Sequence, residues 1–297
     1  MENNLREIFF KLRRYEIKIR KAVNTQMQGN FHSVFKGSGL EFDDVRAYQY
    51  GDDVRTIDWN VSAKGHGIYV KTFKEEKEQN VFLILDVSGS QYIGKPQHQK
   101  IDYGREICGI LTISALKENS SVGLLCFSNQ REKYIKPKKG TKHAYELLTA
   151  MFRLQPESFR TSLNKALTVA MNIIKRKSIV VLVSDFVDEG YERNLKAIAK
   201  KHDLIVIHLA DHRESMLPPL GIVPLLDKET RRTVWVNTSS EEFREKIAGQ
   251  FSQKREQLEK LCHQFSANYL FIDTSEDYVP RLVKLFKVRN LTTKKMT

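Results

Sequence analysis

The chain has 297 residues, 41% hydrophobic and 29% charged, with 49 Lys and Arg against 36 Asp and Glu for a net charge of +13. That balance suits a folded protein with its own core and excludes a disordered one. Three widely separated cysteines without a CxxC pair exclude a disulfide framework and a cysteine-based zinc site.

The N-terminal stretch MENNLREIFFKLRRYEIKIR lacks the apolar centre of a secretory signal, and the longest apolar runs, Val81–Leu85 and Ile179–Val183, are far too short to span a bilayer. A reduced, cytoplasmic protein without a transmembrane segment is expected. Leu5, Ile8, Phe9, Leu12, Ile19 and Val23 recur at helical spacing among basic residues. They predict an amphipathic helix within residues 1–29, docked on its own protein or touching a membrane surface or partner. Residues 30–76 are irregular. Runs at Phe42–Tyr48, Ile57–Val61 and Ile68–Phe73, separated by Gly and Asp-Asp, predict a small β-rich appendage. Its Asp43, Asp44, Arg46, Asp52, Asp53, Arg55 and Asp58 are expected to form turns and ion pairs that fix it to the rest of the chain.

Residues 77–290 read as one larger domain. VFLILDV (81–87) is a continuous apolar run ending at Asp86, as a central strand buried on both faces requires. A helix over Ile101–Lys117, a strand VGLLCF, a hairpin partner REKYIKP and helices over 142–154 and 161–176 follow. SIVVLVSDF is a second buried strand and DLIVIHLA a third, with the helix ERNLKAIAKK between them. GIVPLL and RTVWVN predict a hairpin insert around Asp227–Thr230, and Ser239 with Glu242 predicts a capping box opening a helix to about His263. NYLFIDT and a short helix Val279–Lys287 close the domain, leaving 291–297 as a basic tail. Strands alternating with helices define an α/β fold with a doubly wound, mostly parallel sheet.

The positive charge is concentrated. Residues 1–36 hold eight basic and three acidic groups, residues 131–142 six and one, and residues 281–297 six and none. These stretches lack the interleaved aromatics of a nucleic-acid channel, so solvated surface is the expected reading. A basic nucleic-acid-binding protein or metal-dependent nuclease is the alternative, with Asp58 and Glu75-x-Lys77 as a loose match to a nuclease metal site.

Ligands in such sheets sit beyond the carboxyl ends of the strands. Asp86, Ser88 and Ser90 alternate as the chain leaves its strand, so three oxygens can face one point, with Gly89 allowing a tight turn. Carboxylate and hydroxyl oxygens suit a hard ion such as Mg²⁺. Two rivals fit less well. Gly89–Lys95 matches GxxxxGK, but Pro96 stands where a P-loop needs Ser or Thr. An aspartyl phosphotransferase would need an acid–base carboxylate two residues after Asp86, where Ser88 stands. No nucleophile–base pairing names a catalytic residue, so no enzyme is expected.

Asp86-x-Ser88-x-Ser90, with Thr161 in a later loop and Asp185 after the next central strand, resembles the metal-ion-dependent adhesion site of von Willebrand factor type A domains. Gly39–Tyr48, Gly51–Asn60 and Tyr69–Glu76 are similar to the bacterial domain-of-unknown-function family 58. The resemblance implies a Rossmann-like von Willebrand factor A fold. It also implies Mg²⁺ or Mn²⁺ held by Asp86 and Asp185 (the latter directly or through water) with the hydroxyls of Ser88, Ser90 and Thr161. A partner protein's Asp or Glu would fill the open position. Ser162 follows Thr161 where such sites often carry Asp. Because relatives are often encoded beside MoxR-type AAA+ ATPases, the implied role is a metal-dependent interaction module. It would work with such an ATPase in chaperone-like maturation or assembly.

Overall fold

The computed structural model describes residues 36–294 apart from 66, 79, 96 and 97. The helix expected within residues 1–29 and the last three residues of the basic tail lie outside the described residues. The chain divides into two units, Phe35–Gln79 and the remainder.

In the smaller unit, β1 (Lys36–Ala47) pairs antiparallel with β2 (Tyr69–Glu78), its register shifting between Gly37 and Leu40 and between Phe42 and Asp44. The acidic residues between the strands build turns. Asp53 caps a 3-10 turn, Val54–Thr56, and Asp58 accepts from Asn60 N and Val61 N to cap the single helical turn α1 (Trp59–Ser62). Arg46 grips Asp52 with two nitrogens, at 2.7 and 2.6 Å, and Lys71 lies 3.6 Å from Asp58. These bonds are internal to the unit, and they use the Asp58 carboxylate as a cap and ion-pair partner.

The larger unit is built on β3 (Asn80–Asp86), β6 (Ser121–Phe127), β7 (Arg131–Lys138), β8 (Ile179–Ser184), β9 (Asp203–Ala210) and β12 (Asn268–Asp273). Their order is β12-β9-β8-β3-β6-β7, all parallel except the edge pair β6–β7. Between β3 and β6 lie a small hairpin, β4 (Gly94–Lys95) with β5 (His98–Gln99), and then α2 (Lys100–Lys117). The later helices are α3 (Thr141–Arg153), α4 (Leu163–Ile173), α5 (Glu192–Lys201), α6 (His212–Ser215), α7 (Glu241–Gln264) and α8 (Val279–Lys294). Alternate strand residues serve opposite layers. Phe82, Ile84, Val180, Leu182, Leu204 and Val206 join a core with Leu163, Leu167, Leu195, Ile198 and Leu258 from α4, α5 and α7. On the other face α2 closes onto Leu85, Val183 and Leu209. There Gly104 permits the approach, since a Cβ on it would fall 2.9 Å from Leu85 Cδ1. Helices on both faces of a mainly parallel sheet make this a doubly wound α/β fold. Cys108, Cys126 and Cys262 are buried thiols.

The Phe127↔Arg131 and Val122↔Lys138 pairs run β7 back to the amino-terminal end of β6. Lys136–Lys142 therefore lie at the end of the sheet opposite Asp86. Helix α4 is shorter than the expected 161–176, running Leu163–Ile173, and two other helix boundaries also differ. Helix α7 starts one residue later than the capping-box reading requires. Ser240, not Ser239, caps it by accepting from Phe243 N, while Ser239 Oγ accepts from Gly221 N. Helix α8 continues to Lys294 instead of stopping near Lys287, because no Gly or Pro interrupts residues 281–294.

The insert predicted around Asp227–Thr230 is a ribbon of β10 (Ile222–Leu226) and β11 (Thr233–Asn237). Asp227 shapes its tip, its Oδ1 accepting from Glu229 N at 2.9 Å and Thr230 N at 3.3 Å.

Candidate functional site

The sheet order changes direction at β3, whose neighbours are β6 on one side and β8 on the other. The crevice beyond the carboxyl ends of β3 and β8 is therefore the place where this topology leaves room for a ligand. Asp86 ends β3, Ser184 ends β8 and Asp185 follows it. Asp86 is fully buried; its Oδ1 accepts from Ser88 N at 2.9 Å and its Oδ2 from Ser184 Oγ at 2.6 Å. The Ser88 and Ser90 hydroxyl oxygens, both buried, lie 3.1 Å apart. Ser88 leads into a 3-10 turn, Gly89–Tyr92, that contains Ser90 and runs on to the β4–β5 hairpin. A P-loop would instead run directly into its helix.

Thr161 stands in a loop fastened from two sides. Glu132 accepts from Glu157 N at 2.9 Å and Ser158 N at 3.2 Å. Phe159 O accepts from Gly89 N at 2.7 Å, and Ser128 O from Ser162 N at 3.2 Å. Ser162, not Thr161, caps α4, which leaves the Thr161 hydroxyl free of helix duty. It donates to Glu229 Oε1 at 2.6 Å, from the tip of the β10–β11 ribbon.

Asp185 carries a partner absent from the sequence reading. Lys100, first residue of α2 and fully buried, places Nζ 2.7 Å from Asp185 Oδ2 and 2.6 Å from Glu214 Oε1. The backbone turns sharply after it, with Phe186 at φ 56°, a left-handed conformation that costs a bulky residue roughly 1–2 kcal/mol. Ser184 Oγ accepts from Phe186 N at 3.1 Å and so supports the turn that aims Asp185.

Ser90 lies between the parts, its hydroxyl near enough to both Asp185 and Glu229 to favour their ionised forms. The structure thus gathers Asp86, Ser88, Ser90, Thr161 and Asp185 at one place and adds Ser184, Lys100, Glu214 and Glu229. Burial and then the charge of Asp185 push the Asp86 carboxyl well above its ordinary value, against the hydrogen bonds from Ser184 and Ser88. Burial would do the same to Asp185, but the adjacent Lys100 ammonium overcomes it and holds that carboxyl low. Burial also raises Glu214 and Glu229. Lys100 pairs with Asp185 and Glu214, whereas among the described residues no cation is one of the main groups acting on Asp86 or Glu229.

The donor set fits a small divalent ion. Octahedral Mg²⁺ with oxygens at about 2.1 Å sets adjacent ligands roughly 3 Å apart, close to the 3.1 Å between the two serine hydroxyls. Among the described residues no three His, Cys, Asp or Glu side chains sit closely enough to hold an ion unaided. An ion here would take much of its shell from Ser88, Ser90 and Thr161, with Asp86 as a carboxylate ligand. Asp185, already bound by Lys100, would act through water.

Residues 44–257 match the family described as "Protein of unknown function DUF58". The chain belongs to this family. The matched stretch contains every residue of the candidate site described above. An uncharacterized protein of Mycobacterium tuberculosis is 27% identical over 222 residues, covering 74% of this chain and 70% of its own. One of Mycobacterium avium is 28% identical over 135 residues, covering 45% and 79%. Among solved structures, the conserved hypothetical protein BatB from Bacteroides thetaiotaomicron overlaps 72% of this chain and 99% of its own at 14% identity and TM-score 0.43. The SpRpn10 VWA domain overlaps 69% and 94% at 14% identity and TM-score 0.39. No described helix of this DUF58 chain is long and apolar enough to cross a membrane.

Proposed function

We propose that this DUF58 protein is a non-enzymatic protein-interaction module whose docking point is a Mg²⁺ or Mn²⁺ ion held by Asp86, Ser88, Ser90 and Thr161, with Asp185 behind a water. The observation that carries this reading is the buried Asp86–Ser88–Ser90 arrangement at the switch point, with two hydroxyl oxygens 3.1 Å apart beside an undercompensated carboxylate. When bound, the ion supplies a Lewis acid with room for one more anionic oxygen, the feature that recognises a partner's Asp or Glu. The chain's residues do the rest: Ser184 and Ser88 N fix the Asp86 carboxylate, and Lys100 fixes Asp185. The family resemblance adds a MoxR-type AAA+ ATPase as the working partner in the cytoplasm, in chaperone-like maturation or assembly.

The ion is tested by thermal unfolding with added Mg²⁺ or Mn²⁺. At 100 times the dissociation constant, bound ion stabilises by about 2.7 kcal/mol, so the wild-type melting temperature rises while Asp86→Ala and Ser88→Ala stay flat. A flat wild type at millimolar ion sinks the reading. The partner is tested by capture of a purified MoxR-type ATPase with and without chelator; equal capture in both removes the metal from the interaction.

A further inference from the structure

We infer that Glu229 is the chain's own ligand for this centre: the tip of the β10–β11 ribbon fills from within the place a partner's carboxylate would take, and so acts as a gate on docking. The inference rests on the ion-binding reading above, and four separate contacts carry it.

Glu229 is set among the proposed hydroxyl ligands. Its Oε1 accepts from Thr161 Oγ1 at 2.6 Å and its Oε2 from Thr161 N at 3.3 Å, and the Ser90 hydroxyl is near enough to favour its ionised form. The tip is seated tightly, because a Cβ on Gly89 would fall 2.5 Å from Lys228 O. Arg231 stacks over the Phe159 ring, 4.5 Å from its centroid, on the loop that carries Thr161. Finally, Asp227 holds the turn with Glu229 N and Thr230 N, so the carboxylate projects from a defined tip.

The ribbon behind the tip is weakly supported. Ile222, Leu226, Val234 and Trp235 are exposed, and a two-stranded ribbon is marginal by itself. Its tip contacts are therefore what keep it closed, and a competing carboxylate on the same ion would release it. Glu229 is held by Thr161 while Asp86 is held by Ser88 N and Ser184 Oγ, so the two carboxylates have separate partners and Glu229 adds a second anion without displacing the first.

The probe is Mn²⁺ on the full chain, with affinity read by electron paramagnetic resonance and bound-ion hydration read by water-proton relaxation. Glu229→Gln is expected to weaken Mn²⁺ by roughly 10- to 100-fold, the range seen when even outer partners of a metal site are removed. It should also add about one exchangeable water to the bound ion. Free acetate should then displace that water in Glu229→Gln and leave wild type unchanged. Asp227→Ala, which leaves Glu229 in place but unbuilds its turn, should move hydration the same way by less. Equal affinity and hydration in wild type and Glu229→Gln would overturn the gate while leaving the ion site standing. Absence of Mn²⁺ binding in both overturns the gate together with the ion reading.

Discussion

Lys100 Nζ sits 2.7 Å from Asp185 Oδ2, an ion pair in which the lysine side chain has no exposed surface and the aspartate almost none. The ammonium also reaches Glu214 on α6, so α2, the β8 end and the turn after β9 are joined at one buried charge. Such a group is costly to place and more costly to break, since removing one member leaves the others unpaired in a poorly solvated site.

Lys100→Met is therefore expected to destabilise the fold by about 3–5 kcal/mol, read from the midpoint of urea unfolding. Adding Asp185→Asn should recover part of that loss, because the neutral amide no longer needs a cation. If the double variant loses the simple sum of the two single losses, the pair is not coupled and the charge argument fails.

A separate carboxylate sets an acid limit. Burial works against ionised Asp211, but hydrogen bonds from the Arg213 guanidinium, Thr274 Oγ1 and Arg213 N outweigh it and hold the carboxyl well below the usual range. His212 Nδ1 lies 3.7 Å from the same carboxylate, Glu214 caps the Asp211 N–H, and Tyr103 is close enough to feel the charge. A depressed folded value means stability that is complete above the unfolded pKa of about 3.9 and is lost as pH falls toward the folded value. Asp211→Asn should thus be less stable than wild type at pH 7, with the gap constant down to about pH 4 and narrowing below it. A gap that widens below pH 4 would contradict this assignment.

How far these features are legible in the chain depends on how each residue is held. Asp86 and Asp185 stand out because each interrupts a continuous apolar run, and a charge at the end of a doubly buried strand has few other uses. Ser184 offered a weaker signal of the same kind, a hydroxyl inside IVVLVS with every residue buried. Lys100, Glu214 and Glu229 give none. They head a helix, sit in a single helical turn and ride a ribbon tip, where the local pattern is that of ordinary solvated charge. Only the topology brings them to Asp185 and Thr161, from 85, 114 and 68 positions away in the pairs Lys100–Asp185, Lys100–Glu214 and Thr161–Glu229. The misplaced cap has a local cause: adjacent serines compete for one helix start, and the ribbon claims Ser239 for Gly221 N.

That division of labour is testable. Ser240→Ala should cost about 1 kcal/mol, the usual loss for a helix cap, and speed amide exchange in the first turn of α7. Ser239→Ala should leave that turn protected and speed exchange at Gly221 instead. Reversed exchange patterns would return the cap to Ser239.

Gly89→Ala addresses the closed ribbon without touching any side chain of the site. The added methyl would meet Lys228 O at 2.5 Å and Phe159 O at 3.0 Å. Both atoms are backbone, so neither can swing aside, and relief requires the tip or the Thr161 loop to move. Overpacking of this kind costs about 1–3 kcal/mol. The ribbon is the cheaper element to displace, because most of its length is exposed while the loop is tied to Glu132, Ser128 and Gly89 itself. Lys228, Arg231 and Arg232 lie at the tip, so trypsin reads its opening directly. Cleavage between residues 228 and 232 should accelerate in Gly89→Ala, with cleavage elsewhere in the sheet unit unchanged at the same temperature. Glu229→Gln should accelerate the same cuts by less, since it weakens the bonds to Thr161 but leaves the packing on Gly89. Tip cleavage at the wild-type rate in Gly89→Ala would mean that the ribbon is not held closed by its seat on Gly89, and that the loop yields instead.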